Sequence, residues 1–140
     1  MNPRILNVDD SATIRMTLRR LFARFVCEWR EAANGEEGLA AALQETPDLV
    51  LTDWNMPVMD GITMVRRMRE NPTLKRTPVI MLTTESGPQQ IATAARLGVR
   101  DYLIKPFREE ELLAKAGRII PLAPRAEAAA TSNAEPAKPL

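Results

Sequence analysis

The chain has 140 residues, of which 45% are apolar and 26% charged, so it is long enough for one domain with a single hydrophobic core. The net charge of +1 provides no general attraction to nucleic acid or to an anionic membrane, and we expect neither as a partner. No apolar stretch approaches the roughly 18 residues of a membrane span, and no secretion signal opens the chain, so we expect a cytoplasmic protein. Histidine is absent and Cys27 is the only cysteine, which excludes histidine ligands, histidine triads and an internal disulfide.

Short apolar runs without polar alternation predict buried strands of the kind found in parallel sheets. Between them, apolar residues recur at helical spacing, and Asn71-Pro72 and Gly98 provide stops after the third and fourth helices. Strand and helix alternate five times, which predicts a parallel sheet with right-handed crossovers and helices on both faces. The predicted strands are 5–8, 26–29, 49–51, 79–82 and 102–104, of which 26–29 is the weakest. The apolar helix faces are Ile14, Leu18, Leu21, Phe22 and Phe25; Leu39, Ala42 and Leu43; Met64, Val65 and Met68; Ile91, Ala94 and Ala95; and Leu112, Leu113, Ala116, Ile119 and Ile120.

The composition changes after Pro121, where alanine, proline, serine and asparagine dominate and large apolar residues almost disappear. Such a segment cannot bury enough apolar surface to offset the entropy lost on ordering. We therefore predict one domain over residues 1–121 and a disordered, Ala/Pro-rich tail over residues 122–140. A linker to a further domain is the alternative interpretation of the tail.

Polar residues follow four of the predicted strands at the point where each strand ends. In a parallel sheet these ends lie on one edge, so we expect the residues to meet in one crevice. Each also has a purely structural interpretation, such as capping of the first helix by Asp10 or Ser11, capping of the fourth helix by Thr83, or a solvated Lys105. The residues are Asp9 and Asp10 after the first strand, Asp53 after the third, Thr83 and Thr84 after the fourth, and Lys105-Pro106 after the fifth.

The chemistry of this predicted crevice suits phosphoryl transfer. Clustered carboxylates repel one another, and a bound divalent cation relieves the repulsion. Oxygen ligands without histidine or cysteine favour Mg²⁺ or Mn²⁺ over Zn²⁺. A carboxylate such as Asp53 can act as a nucleophile and form an aspartyl phosphate. The metal, Lys105 and a threonine hydroxyl would then hold the oxygens of the transferred group.

Five separated motifs of the chain occur together, in this order, in one known family. They are Asp9-Asp10, Asp53-Trp54-Asn55-Met56-Pro57, Met59-Asp60-Gly61, Leu82-Thr83-Thr84-Glu85, and Asp101-Tyr102-Leu103-Ile104-Lys105-Pro106-Phe107. With these motifs the chain resembles, over about residues 3–120, the receiver domain of two-component response regulators, and in particular the stand-alone, CheY-like receivers. The resemblance implies a single flavodoxin-like (βα)5 domain, with a five-stranded parallel sheet in the order 2-1-3-4-5 and helices on both faces.

The resemblance implies that Asp53 accepts a phosphoryl group from a phosphohistidine on another protein, either a histidine kinase or a histidine phosphotransfer protein. It also implies a Mg²⁺ site beside the acceptor, with Mn²⁺ as a substitute. Asp10, Asp53 and the backbone carbonyl of Asn55 would bind the metal directly. Asp9 would act mainly through water.

The same resemblance implies a conformational switch. Lys105 is expected to pair with the phosphoryl oxygens, next to a peptide bond to Pro106 that is usually cis in this family. Thr83 would hydrogen-bond the phosphoryl group, and Tyr102 would then swing inward. This motion would alter a surface made of the fourth helix, fifth strand and fifth helix, to which a downstream protein binds. The alternative for Tyr102 is a strand residue that only fills the sheet edge.

We therefore expect a single-domain response regulator in phosphorelay signalling, a monomer and not a turnover enzyme. Asn55 and Glu85 match family positions that flank the hydrolytic water and tune dephosphorylation, which implies a short-lived phosphorylated form. Chemotaxis is one candidate pathway. Against it, residues 86–90 lack the lysines with which the chemotaxis receiver contacts the flagellar motor.

Three other functions compete with this expectation. A phosphotransfer intermediate in a relay would share the whole site. A haloacid-dehalogenase-type phosphatase also uses an aspartate nucleophile and Mg²⁺, but its Asp-x-Asp-x-Thr/Val pattern does not fit residues 9–13. A scaffold receiver that is never phosphorylated would be expected to have a degraded acidic site, whereas all three aspartates are present here.

Overall fold

The architecture is a five-stranded parallel sheet flanked by five helices, as described by a computed structural model over residues 2–126. The strand order is β2-β1-β3-β4-β5, and every pair of neighbours is parallel. The predicted fold class and strand order are therefore confirmed. The strands are β1 Arg4–Val8, β2 Glu28–Ala32, β3 Leu49–Thr52, β4 Val79–Thr83 and β5 Asp101–Ile104.

Several helices begin or end where local chemistry predicts. Ser11 caps α1 by accepting a hydrogen bond from the Ile14 amide at 3.2 Å, which satisfies a donor that the first turn leaves unpaired. Asn71 ends α3, and Gly98 follows α4 with a φ of 77°, a left-handed conformation that favours glycine. The helices are α1 Ala12–Phe22, α2 Gly35–Gln44, α3 Gly61–Glu70, α4 Pro88–Arg96 and α5 Glu109–Gly117.

Side chains of each strand alternate between the two faces of the sheet. Ile5 packs with α1 and α5 on one face, whereas its neighbour Leu6 packs with α2 and α3 on the other. All residues of β3 and β4 are buried, since helices cover both faces of these central strands. Within residues 2–126, no helix has the length and apolarity that crossing a bilayer requires.

The second strand differs from its prediction. Residues 26–29 were expected, but β2 spans Glu28–Ala32, and only Ala32 in it is fully buried. As an edge strand it pairs with β1 alone and is less buried than the central strands, so it contains several polar side chains. A search for apolar runs therefore misplaces it. Phe25, assigned above to the first helix face, lies beyond the end of α1 at Phe22.

Residues 122–125, the start of the predicted tail, are hydrogen-bonded to the turn between α1 and β2. Val26 donates its amide to the Ala123 carbonyl at 2.7 Å, and Arg125 donates its own to the Arg24 carbonyl at 3.0 Å. Leu122 packs against the core that contains α1 and α5. The predicted tail start therefore falls within a paired segment, and residues 127–140 lie outside the described residues.

Candidate functional site

The residues that follow the strands lie on the carboxyl edge of the sheet, and backbone hydrogen bonds hold them there. The Asp9 amide donates to the Ala32 carbonyl and the Asp53 amide to the Val8 carbonyl, both at 3.0 Å. The Lys105 amide donates to the carbonyl of Thr83 at 2.9 Å. These bonds extend the ladder one residue past the strands, which fixes where the side chains begin.

Three aspartates meet at this edge. One carboxylate oxygen from each of Asp9, Asp10 and Asp53 lies within 4.8 Å of the other two. Asp9 is buried, Asp53 is half-buried and Asp10 is exposed, so the cluster opens to solvent on one side. The donor set is oxygen only, which fits a hard divalent cation such as Mg²⁺ that keeps part of its water shell.

Lys105 lies between two of these carboxylates. Its Nζ donates to Asp9 Oδ2 at 2.9 Å and to Asp53 Oδ2 at 3.1 Å. Burial by itself would lower the pKa of Lys105, but the hydrogen bonds and charges of Asp9 and Asp53 outweigh it, so the net pKa is raised. The ammonium group therefore remains charged beside Asp53.

The buried position of Asp9 disfavours its ionised form. Burial raises its pKa above the ordinary value, and the charge of Asp53 acts in the same direction. A hydrogen bond from the Ser11 amide at 2.9 Å and the ammonium of Lys105 oppose that effect without cancelling it. A cation bound at the cluster would favour the ionised form that the fold disfavours.

The backbone around Asp53 is fixed on several sides. Thr52 Oγ1 donates to the Asp53 carbonyl at 2.9 Å, and the Trp54 amide donates to Asp53 Oδ1 at 2.6 Å. Gly61, the first residue of α3, approaches the same carbonyl so closely that a Cβ there would overlap it. The Gly61 amide also donates to the Trp54 carbonyl at 2.8 Å, so α3 begins directly against the acidic site.

A chain of hydrogen bonds links the end of β4 to β5. The Glu85 amide donates to Oγ1 of the buried Thr83 at 3.2 Å, and the Tyr102 hydroxyl donates to the Glu85 carbonyl at 2.6 Å. Asn55 donates from its side-chain amide to the Glu85 carboxylate. Burial, followed by the charges of Glu85 and Asp53, raises the pKa of Tyr102, so its hydroxyl stays protonated as a donor.

The predicted site residues thus lie in two connected groups. In the first group, Lys105 contacts Asp9 and Asp53 directly, and Asp10 lies near them with a carboxylate oxygen within 4.8 Å of theirs. The second is the hydrogen-bonded set Thr83, Glu85, Asn55 and Tyr102. Thr84, expected as a second hydroxyl, is exposed and lines a depression with Lys105, Pro106 and residues of α1. The Lys105–Pro106 peptide bond is cis.

Sequence reasoning missed several contacts at this site. Arg15 of α1 donates to the backbone carbonyl of Asp9, and Thr52 braces the Asp53 carbonyl. The close approach of Gly61 was also missed, although the glycine stands inside one of the motifs. The buried Asn7 donates to the Leu51 carbonyl at 3.1 Å and so joins β1 to β3. An asparagine inside the apolar run 5–8 was the only sequence signal for this bond.

The fold and this acidic edge define a class of protein. Residues 5–117 match the family model of the response regulator receiver domain, and the chain belongs to that family. Receiver domains are regulators and not turnover enzymes, which disfavours the phosphatase alternative.

The known proteins to which the chain is similar include chemotaxis proteins. The chain is 38% identical over 119 residues to the chemotaxis protein CheY-3 of Vibrio cholerae, covering 84% of this chain and 92% of that protein. It superposes on the structure of V. cholerae CheY4 with a TM-score of 0.80 at 36% identity, covering 86% of this chain and 100% of that one. A CheX–CheY–BeF3–Mg²⁺ complex from Borrelia burgdorferi matches with a TM-score of 0.78 at 27% identity, covering 84% of this chain and 88% of that one.

Proposed function

We propose that this chain is a phosphorylation-dependent switch in which Asp53 accepts a phosphoryl group from a phosphohistidine of a histidine kinase or a histidine phosphotransfer protein. The observation that best supports this is the position of Lys105. Its Nζ bridges Asp9 and Asp53, so a fixed positive charge lies beside the acceptor carboxylate where phosphoryl oxygens would arrive. The family match supports the same chemistry.

The transfer itself needs little from the protein beyond position and charge. A carboxylate oxygen of Asp53 attacks the phosphorus, the P–N bond to the donor imidazole breaks, and the imidazole leaves with the bonding electron pair. Lys105 offsets negative charge on the transferred oxygens through a charge-assisted hydrogen bond. Hydrogen bonds from Thr52 and from the Trp54 amide hold the backbone and side chain of Asp53 in position.

The metal that we propose for this site is Mg²⁺, with Mn²⁺ as a substitute. Asp10, Asp53 and the backbone carbonyl of Asn55 would hold it directly, and Asp9 through water. When bound, Mg²⁺ supplies positive charge that reduces the repulsion between the Asp53 carboxylate and the incoming phosphoryl group. The geometry of Asp9, Asp10 and Asp53 supports the assignment, as does the Mg²⁺ named in the complex of the Borrelia relative.

The proposed output is a change in the surface formed by α4, β5 and α5. The Tyr102 hydroxyl donates to the Glu85 carbonyl, and the Glu85 amide donates to the Thr83 hydroxyl. A phosphoryl group that draws the Thr83 hydroxyl toward Asp53 would break its bond to the Glu85 amide, and Tyr102 would then swing inward. A bias of about 1.4 kcal/mol changes the population ratio of the two conformations tenfold, and one or two new hydrogen bonds can supply it. The altered surface of α4, β5 and α5 would bind a protein target.

Asn55 and Glu85 are proposed to set the lifetime of the phosphorylated form. Their side chains are hydrogen-bonded to each other, so their polar groups lie together next to the acceptor residue. Groups in that position can orient an attacking water. Replacing Glu85 by alanine should therefore change the half-life of the phosphorylated form, and a half-life of many hours in wild type with Mg²⁺ would contradict the proposal.

The test of the acceptor is incubation with acetyl phosphate, with Mg²⁺ or with EDTA. Mass spectrometry should find one phosphoryl group on Asp53, only when Mg²⁺ is present, and the fluorescence of the adjacent Trp54 should change. Asp53→Asn should take up none. Asp101→Asn, which alters a carboxylate paired with Lys115 outside this site, is the matched control and should label like wild type. Absence of labelling in wild type, or equal labelling of Asp53→Asn, would refute the function.

A further inference from the structure

A second charged site lies at the end of the sheet opposite Asp53. It is a cleft of about 490 Å³ between the α3–β4 connection and the α4–β5 connection. These connections lead into the amino ends of β4 and β5, whereas the aspartates follow the carboxyl ends of β1 and β3. The cations that line the cleft are Arg69, Lys75, Arg76, Arg96 and Arg100.

The charge of this cleft is uncompensated. No carboxylate lines it. Among residues 2–126, none of its five cations forms an ion pair with Asp or Glu, whereas Arg4, Arg30 and Lys115 elsewhere all do. Like charges held close together destabilise one another, and an anion in the cleft would remove that repulsion.

The walls of the cleft are held in place by Arg69. Its guanidinium donates to the Leu97 carbonyl at 2.7 Å on one side and to the Thr77 carbonyl at 2.8 Å on the other. Burial, together with the positive charge of Arg100, lowers the pKa of Arg69. Arg69 is therefore a structural cation that joins the two connections, and it leaves the exposed cations around it to bind a ligand.

We propose that this cleft binds the phosphate chain of a di- or triphosphate, either free or as part of a nucleotide. Its volume lies within the roughly 300–1,000 Å³ of small-molecule sites. Lys75, Arg76, Arg96 and Arg100 are exposed around it, and guanidinium groups bind phosphate oxygens through paired hydrogen bonds. No aromatic side chain lines the cleft, so nothing there would stack on a base, and recognition falls on the phosphates.

The test is isothermal titration calorimetry of the whole chain with inorganic triphosphate, at low salt and in EDTA. Without a divalent cation the three clustered aspartates repel anions, so binding there does not interfere. Arg76→Gln with Arg100→Gln should weaken triphosphate binding at least about tenfold, since two phosphate-binding cations are lost. Arg66→Gln with Arg67→Gln is the matched control, because both residues are exposed on α3 outside the cleft lining, and it should bind as wild type does.

Further titrations identify the source of the phosphates. ATP binding like triphosphate, with AMP much weaker, supports a phosphate chain as the recognised group. No binding at millimolar triphosphate, or equal loss in the two double variants, would overturn the proposal. Tighter binding of a single-stranded oligonucleotide than of triphosphate would also overturn it, in favour of an extended basic surface. Urea unfolding and Mg²⁺-dependent labelling of Asp53 verify that each variant is folded.

Discussion

Replacing Gly61 by alanine should damage both the stability of the domain and the reactivity of Asp53. A Cβ at this position would overlap the carbonyl oxygen of Asp53, and it would also lie 3.0 Å from the carbonyl carbon and 3.1 Å from Thr52 Oγ1. The clash is with backbone and not with the end of a flexible side chain. Either the start of α3 or the end of β3 must therefore move.

The expected size of the effect follows from what holds these two segments. Asp53 is bonded through its amide to Val8 at 3.0 Å, and Gly61 through its amide to Trp54 at 2.8 Å, so neither yields without losing a backbone hydrogen bond. Overpacking of this kind costs about 1–3 kcal/mol, and an unmade backbone hydrogen bond about 1 kcal/mol more. We expect the free energy of unfolding to fall by roughly 2–4 kcal/mol.

Reactivity should fall as well, because the carboxylate of Asp53 lies 3.1 Å from Lys105 and depends on that alignment. A displacement on the order of 1 Å can reduce a rate about a hundredfold. The assay pairs urea unfolding with the rate of acetyl phosphate labelling, measured below the unfolding transition so that only folded protein is compared.

Gly117→Ala is the matched control. Gly117 is the exposed last residue of α5, and the nearest atom to a Cβ there is a Leu122 methyl at 3.8 Å, an ordinary contact. Alanine at this position should be neutral or stabilise by up to about 1 kcal/mol. A Gly61→Ala protein with wild-type stability and labelling rate would refute the reasoning, since α3 would then not press on the acceptor.

Three further predictions concern charge and the chain end. Because burial raises the pKa of Asp9, ionising this group costs folding free energy. Without Mg²⁺, the free energy of unfolding should fall as the pH rises from the ordinary carboxyl range to the raised pKa of Asp9. Asp9→Asn should therefore withstand more urea than wild type at neutral pH. Unfolding of Asp9→Asn at a lower urea concentration than wild type would contradict this. Arg69→Met should lose about 2 kcal/mol in urea unfolding, because the backbone carbonyls that it satisfies are left unpaired, while Arg66→Met should change stability by less than about 0.5 kcal/mol. A chain ending at Pro121 should be about 2 kcal/mol less stable than one ending at Ala126, and equal stabilities would show that the contacts of residues 122–125 are without consequence.

The central strands and the ends of α3 and α4 were predictable because their signals are local. Every residue of β3 and β4 is buried, so these strands read as apolar runs in the sequence. Asn71 and Gly98 ended their helices as expected, since capping depends on a few neighbouring residues. The position of Asp53 at the mouth of the sheet follows from the same pattern, because parallel strands bring their carboxyl ends together.

The edge strand β2 and the segment after Pro121 were less predictable. β2 was placed too early because an edge strand has one paired side and few buried side chains. The pairing of Val26 with Ala123 joins residues far apart in the chain, and composition alone assigned Ala123 to a tail. The tail prediction for residues 127–140 stays a prediction.

The sequence by itself determined which residues lie at the carboxyl edge of the sheet, because strand ends and motifs consist of short, contiguous segments. Only the tertiary structure showed how Asp53 is held there. Besides its neighbour Thr52, Lys105 and Gly61 contact it from two other parts of the chain, and no local pattern records such distances. The basic cleft has the same origin. Arg76 and Arg100 are unremarkable surface charges in the sequence, and they meet only because β4 and β5 are neighbours in the sheet. Local propensity acts on adjacent residues, whereas a charged cleft depends on which connections the sheet order places side by side.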